Sequence, residues 1–276
     1  MSSFKGKKVA ISGGSSGIGK AAAIALARQG ASVAILARTQ STLDAALAEL
    51  RAAGGEGQRF VAVSVDVTSD EAVARAVQEV LAGLGGLDVL IANSGYAKCA
   101  PTLEAPLADF QAILDTNLLG HVRLVKAFLP HFVKQRSGDI SLVTSMLGFM
   151  SFYGYGAYAA SKFGIVGFAE ALRQELLPVG VNVTVFYPPT TDTPGLEREN
   201  QDKPALTWAI EGNSRKFTSE QVAAALLWGI ERRRFTHMVG ADSWFVFYAS
   251  RWAPWLVRWI IDRDLWAHVR KAGTTG

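Results

Sequence analysis

The sequence predicts one α/β domain: a single doubly wound parallel sheet with helices on both faces, and an aromatic-rich helical segment at the C-terminal end. Three observations predict it. Short apolar, β-branched runs alternate with stretches of helical composition as far as residue 187. A glycine-rich run follows the first apolar run directly and opens the first helical stretch. The 276 residues are 49% hydrophobic and 19% charged, enough to bury a full core and too apolar for a disordered chain.

The first strand is read at Val9–Ile11, running into Gly13–Gly14, and the first helix at Ala21–Arg28, stopped by Gly30. A second strand, Ser32–Leu36, precedes a helix over Thr42–Ala53 and a turn at Gly54–Gly57. The third strand, Phe60–Asp66, leads to a helix opened by the capping residues Thr68–Ser69. Strands four and five are read at Leu87–Ala92 and Asp139–Thr144, flanked by helices over about 105–134 and 156–177, and strand six at Val181–Tyr187. Parallel strands joined through right-handed helical crossovers make a doubly wound, Rossmann-type sheet the leading topology. The reading divides the chain into a domain over 1–240, with a substrate loop at 188–216, and an amphipathic segment over 241–276.

Ser12-Gly13-Gly14-Ser15-Ser16-Gly17-Ile18-Gly19 lies between a strand and a helix. Glycines let the backbone turn tightly and approach a pyrophosphate, and the helix N-terminus offers free N–H donors. The position, more than the composition, makes this a dinucleotide loop rather than a plain turn. At the end of the second strand stands Arg38 where an NADH site would carry a carboxylate. A guanidinium suits the 2′-phosphate of NADPH, so NADPH is the expected cofactor, with Ser15 adding a hydroxyl.

Tyr158 and Lys162 are four residues apart and share one helical face. That pair alone is common on amphipathic helices. If catalytic, the ammonium is expected to lower the phenol pKa, and the phenol to act as acid–base group. Tyr153 and Tyr155 have no lysine four residues on and are expected to pack or to line a pocket. The four histidines show no metal-ligand spacing, and no metal is expected.

Charge is nearly balanced, 28 basic against 24 acidic residues, which argues against nucleic acid as a partner. The single cysteine, Cys99, has no activating neighbour and is expected to be a structural or surface thiol in a reducing, cytoplasmic setting. Residues 1–8 show no apolar stretch of the kind a signal peptide needs. Residues 244–261, WFVFYASRWAPWLVRWII, hold four of the seven tryptophans with Arg251, Arg258 and Pro254. This composition argues against a spanning helix. It suits peripheral contact with a lipid surface, a cover over the substrate cleft, or a subunit interface in a homo-oligomer.

Taken together, Gly13, Gly17 and Gly19, Asp66-Val67, the Asn93-Ser94-Gly95 run, Asn117, Ser145, Tyr158 and Lys162 resemble, in order and spacing, the short-chain dehydrogenase/reductase family over about residues 7–195. That resemblance implies a catalytic set of Asn117, Ser145, Tyr158 and Lys162. It implies cofactor contacts from Gly13, Ser15, Ser16, Gly17, Ile18, Gly19, Arg38, Asp66, Val67, Asn93, Tyr158, Lys162, Pro188 and Thr193. In it Ser145 orients the substrate carbonyl, Lys162 also binds the nicotinamide ribose, and Asn117 holds a water for proton relay. The run Pro188-Pro189-Thr190-Thr191-Asp192-Thr193-Pro194-Gly195, with Glu199-Asn200 and Lys203-Pro204, is similar to family members that reduce the C3 ketone of a long-chain amino ketone in sphingolipid synthesis. A lipid-like ketone is therefore the expected small-molecule partner. Reductases of 3-oxoacyl, steroid or retinoid carbonyls share the mechanism, and a catalytically idle NADPH sensor would have no reason to keep Ser145, Tyr158 and Lys162 together.

Overall fold

The computed structural model describes residues 4–211 and 215–271; residues 1–3, 212–214 of the expected substrate loop and 272–276 of the C-terminal segment lie outside the described residues. Six strands and their connecting helices follow the order read from the sequence. They are β1 (Lys8–Ser12), α1 (Gly17–Arg28), β2 (Ser32–Ala37), α2 (Gln40–Ala53), β3 (Phe60–Ser64), α3 (Asp70–Leu84), β4 (Val89–Ala92), α4 (Leu107–Leu114), α5 (Gly120–Gln135), β5 (Gly138–Val143), α6 (Gly156–Leu176) and β6 (Val181–Tyr187). Beyond them lie β7 (Thr191–Asp192), α7 (Pro194–Gln201), α8 (Ala205–Glu211), β8 (Phe217–Thr218), α9 (Ser219–Glu231), β9 (Thr236–Met238), α10 (Gly240–Trp252) and α11 (Pro254–Lys271).

Seven strands form one parallel sheet in the order β3-β2-β1-β4-β5-β6-β9, and β7 pairs with β8 apart from it. Alternation along β1 shows how the sheet is covered: Val9 and Ile11 face a cluster with Leu26, Leu43, Leu50 and Leu226, while Ala10 faces Val77, Phe128, Ile165 and Leu172. Helices α1, α2 and α9 therefore cover one face and α3, α5 and α6 the other. Strand order reverses between β1 and β4, so a crevice opens at their carboxyl ends, where doubly wound sheets bind ligands.

The C-terminal segment is two helices, because Pro254 cannot continue α10 but suits the first turn of α11. Phe247 of α10 is buried against Phe149 and Tyr187, with ring centroids at 5.1 and 5.8 Å. Helix α11 lies against α8 and leaves Trp255, Trp259 and Trp266 more than half exposed. Among the described residues, no helix is long and apolar enough to cross a membrane.

Candidate active site

The glycine loop is shaped by close approach. Gly13 and Gly17 have φ of +65° and +52°, the left-handed region that favours glycine. A Cβ on Gly19 would collide with the Gly13 carbonyl oxygen, and one on Gly17 would meet Thr193 at 3.0 Å. Asn93, at the end of β4, holds the loop from below: its Nδ2 donates to the carbonyls of Ser12 (3.2 Å) and Gly13 (3.4 Å). The Ser12 hydroxyl accepts from the backbone N–H of Asn93 and Ser94, at 2.9 and 3.0 Å. Ser16 starts α1 without capping it through its side chain, and no acidic residue stands in the first turn. The N-terminal N–H groups and their positive dipole end are thus left for an anion, and a nucleotide pyrophosphate fits.

Around this loop the other residues expected to hold a cofactor are spread as the sequence order implies. Ser15 is half-buried within the loop, and Ile18 packs into the core below α1. Arg38 is exposed past β2 and makes no ion pair among the described residues. Asp66 is committed locally: its Oδ1 accepts from the backbone N–H and hydroxyl of Thr68, at 3.0 and 2.8 Å. These bonds, aided by the nearby Arg38 and Arg123 guanidinium groups, hold the carboxyl below its ordinary pKa. Val67 is buried against Gly120. The Pro188 carbonyl accepts from Met146 N–H at 3.3 Å, tying the loop after β6 to the turn after β5. Thr193 lies on Gly17 while its hydroxyl caps α7 through the Leu196 N–H at 3.1 Å.

Asn117, Ser145, Tyr158 and Lys162 converge beside that loop. Ser145 caps a 3-10 turn over Met146–Gly148, its Oγ accepting from Leu147 N–H at 3.1 Å, so its own proton is free to donate. It faces the Tyr158 phenol, in the first turn of α6, closely enough to pull that group's pKa down. The Lys162 ammonium, buried, lies 5.5 Å from the Tyr158 ring centroid and donates to the Val143 carbonyl at 3.2 Å. Gly95 keeps the approach to it open; a Cβ there would sit 3.6 Å from Lys162 Nζ and 3.0 Å from Asn117 Oδ1.

Asn117 lies in a π-helical turn, Asp115–Leu119, between α4 and α5. Such one-turn insertions reorient side chains within a helix and recur at functional sites. Here the turn accommodates a residue with poor helix propensity, and the buried side chain braces the loop that follows β4. Nδ2 donates to the Tyr96 carbonyl (2.9 Å) and Ser161 Oγ (3.1 Å), and Oδ1 accepts from Tyr96 N–H (3.0 Å). Both amide hydrogens are used, leaving one lone pair of Oδ1 for a water.

One expectation is reversed. Sequence spacing predicts a Tyr158 phenol lowered by Lys162, yet burial pushes the phenol well above its ordinary value, against a downward pull from the Ser145 hydrogen bond. Burial also pushes Lys162 down to about 7. A desolvated ammonium is itself disfavoured, so it is a weak stabiliser of a neighbouring phenolate. A protonated phenol is the form that donates a proton.

His121 and Ser161 were not singled out from the sequence, and Tyr155 was expected only to pack or to line a pocket. His121 is fully buried one turn after Asn117, bonded to the Ser94 carbonyl at 2.8 Å and held neutral, its pKa pushed down to about 3 by burial and Lys162. Ser161 links Asn117 to the Tyr158 carbonyl, 2.6 Å away. Tyr155 is buried beside Tyr158, ring centroids 6.1 Å apart, and its hydroxyl shares its one proton between the carboxylates of Glu199 and Glu211. The one signal for His121 was its spacing of four from Asn117. Cys99 is buried and donates to Thr207 Oγ1 at 3.4 Å, a structural thiol.

A family model described as short chain dehydrogenase matches residues 7–204. The chain belongs to the short-chain dehydrogenase family. Members of this family work with a nicotinamide cofactor, and the chain is an oxidoreductase of that kind. Among curated relatives, a short-chain dehydrogenase from Arabidopsis thaliana, 3-dehydrosphinganine reductase, is 39% identical over 244 residues, covering 86% of this chain and 72% of its own. Those from Bos taurus (3-ketodihydrosphingosine reductase, 34%) and Danio rerio (3-dehydrosphinganine reductase, 35%) cover 87% and 88% of this chain and 73% and 74% of theirs. The crystal structure of levodione reductase superposes with a TM-score of 0.79 at 23% identity, covering 87% of this chain and 98% of that one, which establishes the shared fold.

Proposed function

We propose that this short-chain dehydrogenase reduces the C3 ketone of 3-ketodihydrosphingosine to the secondary alcohol with NADPH, a step of sphingolipid synthesis. The observation that carries the reading is the convergence of Ser145, Tyr158 and Lys162 at the crevice beside the glycine loop. The relatives named for this substrate, at 34–39% identity over most of the chain, support the choice of ketone.

When bound, the nicotinamide supplies the hydride. Gly13, Ser15, Ser16, Gly17, Ile18 and Gly19 cradle the pyrophosphate, with Asn93 bracing their loop. Asp66, Val67, Pro188 and Thr193 border the nucleotide, and Lys162 bonds the ribose hydroxyls. Arg38, exposed past the end of β2 and in no ion pair among the described residues, takes the 2′-phosphate, which favours NADPH over NADH. Ser145 donates a hydrogen bond to the substrate oxygen and fixes the carbonyl. Tyr158, kept protonated by burial, delivers its proton to that oxygen as charge builds there. Asn117 holds a water through the free lone pair of Oδ1 and feeds the proton path.

The exposed tryptophans support peripheral work at a membrane surface, and the single cysteine is in keeping with its cytoplasmic face. Trp255, Trp259 and Trp266 are 69%, 57% and 58% exposed, and their spacings of four and seven set them on one stripe of α11, with Arg258 and Arg263 nearby. Residues 244–261 thus contribute an interfacial surface next to α8, where a membrane-dissolved ketone arrives.

The test is a substrate panel with purified protein, following oxidation of NADPH and NADH in parallel. The expected result is rapid NADPH oxidation with 3-ketodihydrosphingosine and slow oxidation of NADH. Turnover confined to 3-oxoacyl thioesters, steroids or retinoids would move the assignment to another carbonyl, and equal use of NADH would overturn the role of Arg38.

A further inference from the structure

Beyond the catalytic residues lies a second cluster of titratable groups that hydride and proton transfer do not use. Lys203, its side chain only 1% exposed, bridges Glu199 Oε1 at 3.1 Å and Glu211 Oε2 at 2.6 Å. The Tyr155 hydroxyl, with one proton to donate, lies within hydrogen-bond reach of the same two oxygens. The cluster joins α7, α8 and the start of α6, and Tyr155 packs in one small apolar group with Leu147, Cys99 and Tyr158.

Its charges do not cancel. Two carboxylates face one ammonium, and the carboxylate side chains are only 13% and 16% exposed. A net negative charge with little water around it is costly unless another cation completes it. The second oxygens, Glu199 Oε2 and Glu211 Oε1, have no partner among the described residues. Together with the lone pairs of the Tyr155 hydroxyl, they make up the acceptors that a primary ammonium needs for its three N–H groups. Tyr155 ties the cluster to the reacting centre, its ring centroid 6.1 Å from that of Tyr158 and packed in the same apolar group, and the two carboxylates add to the upward push on the Tyr158 phenol.

We infer that Glu199 and Glu211, held by Lys203 and Tyr155, form the subsite for a primary ammonium on the carbon next to the ketone. The inference rests on the reading of the substrate as an amino ketone and explains how that amine is recognised. It separates this substrate from an oxoacyl chain or a steroid of equal apolar bulk, because those leave the negative charge uncompensated. Lys203 sets the number of cations admitted at one: with two carboxylates and no lysine the cluster would be doubly negative and unstable when empty.

The experiment compares 3-ketodihydrosphingosine with its 2-desamino analogue, in the wild type and in the single variants Glu199→Gln and Glu211→Gln. Each variant leaves Lys203 one carboxylate, and taking the ratio of the two ketones within each protein cancels any loss of folded enzyme. The wild type should favour the amino ketone in kcat/KM by about 10- to 100-fold, the range for a charge-assisted bond. In either variant that preference should shrink toward one through a higher KM for the amino ketone. A second arm measures binding of dihydrosphingosine against its desamino alcohol, with the oxidised cofactor present. Turnover of both ketones with no preference, or a preference the variants keep, would overturn the ammonium subsite while leaving the reductase reading intact, and the cluster would then be a tie between helices only. An amine preference in binding, lost in the variants, would uphold the subsite even if no ketone were turned over and the proposed reaction fell.

Discussion

At the scale of single residues, the site is assembled at the expense of stability. Lys162 is buried with one carbonyl partner and its pKa is depressed to about 7. An unfolded lysine keeps a pKa of about 10.4, so between roughly pH 7 and pH 10 the unfolded chain binds a proton the native chain lacks. Stability must therefore rise with pH across that window, and the full cost of desolvating the ammonium is felt below it. Replacing Lys162 with Met should stabilise the cofactor-free protein at pH 7 by on the order of 2–4 kcal/mol while abolishing turnover. The stability gain should fade as the pH approaches 10. Denaturant unfolding of both proteins at several pH values checks this; a variant no more stable than wild type at pH 7 would mean that Lys162 carries its charge at no cost.

Helices and loops place these residues, and they differ in how openly the sequence announces them. The glycine loop was legible because backbone approach demands specific residue types: a Cβ on Gly19 has nowhere to go but into the Gly13 carbonyl. Gly19→Ala should accordingly cost the protein its dinucleotide affinity, about tenfold or more, with little loss of fold, and titration of NADPH fluorescence would show it. Near-wild-type affinity would mean the loop can open without penalty. The π-helical turn at Asn117 was half legible: an asparagine inside a helix signals a local exception, but not its kind. The Glu199–Lys203–Glu211 cluster was illegible as a unit. Its contact to Tyr155 joins residues 44 and 56 positions apart, and chain spacing reports only neighbours one helical turn away. Strand β9 escaped for another reason, being three residues long and only completed by pairing with β6. On α11 the expected function is surface contact. Trp255→Ala with Trp259→Ala should weaken liposome binding, measured by co-sedimentation, and leave activity on a detergent-dispersed ketone in place. Undiminished binding would exclude this helix face as the contact. Truncation before 244 is a poorer probe, since Phe247 belongs to the core.

For the molecule as a whole, the order β3-β2-β1-β4-β5-β6-β9 brings the ends of β1, β4 and β5 side by side. The three segments that follow them carry the glycine loop, Gly95 and Ser145. Helix α6 then returns Tyr158 and Lys162 across the same edge, and α7–α8 pack a cluster of charges against Tyr155 at its start. Motif order let the fold be read ahead of the structure, and let the proposed reacting residues be named, because each motif is local. The electrostatics were not local: burial from all sides reversed the expected direction at Tyr158. The most direct test is the single-turnover rate of ketone reduction by Tyr158→Phe with NADPH saturating. The account predicts a fall of about 10²- to 10⁴-fold with cofactor affinity close to that of the wild type. A Phe variant that reduces the ketone at the native rate would contradict it.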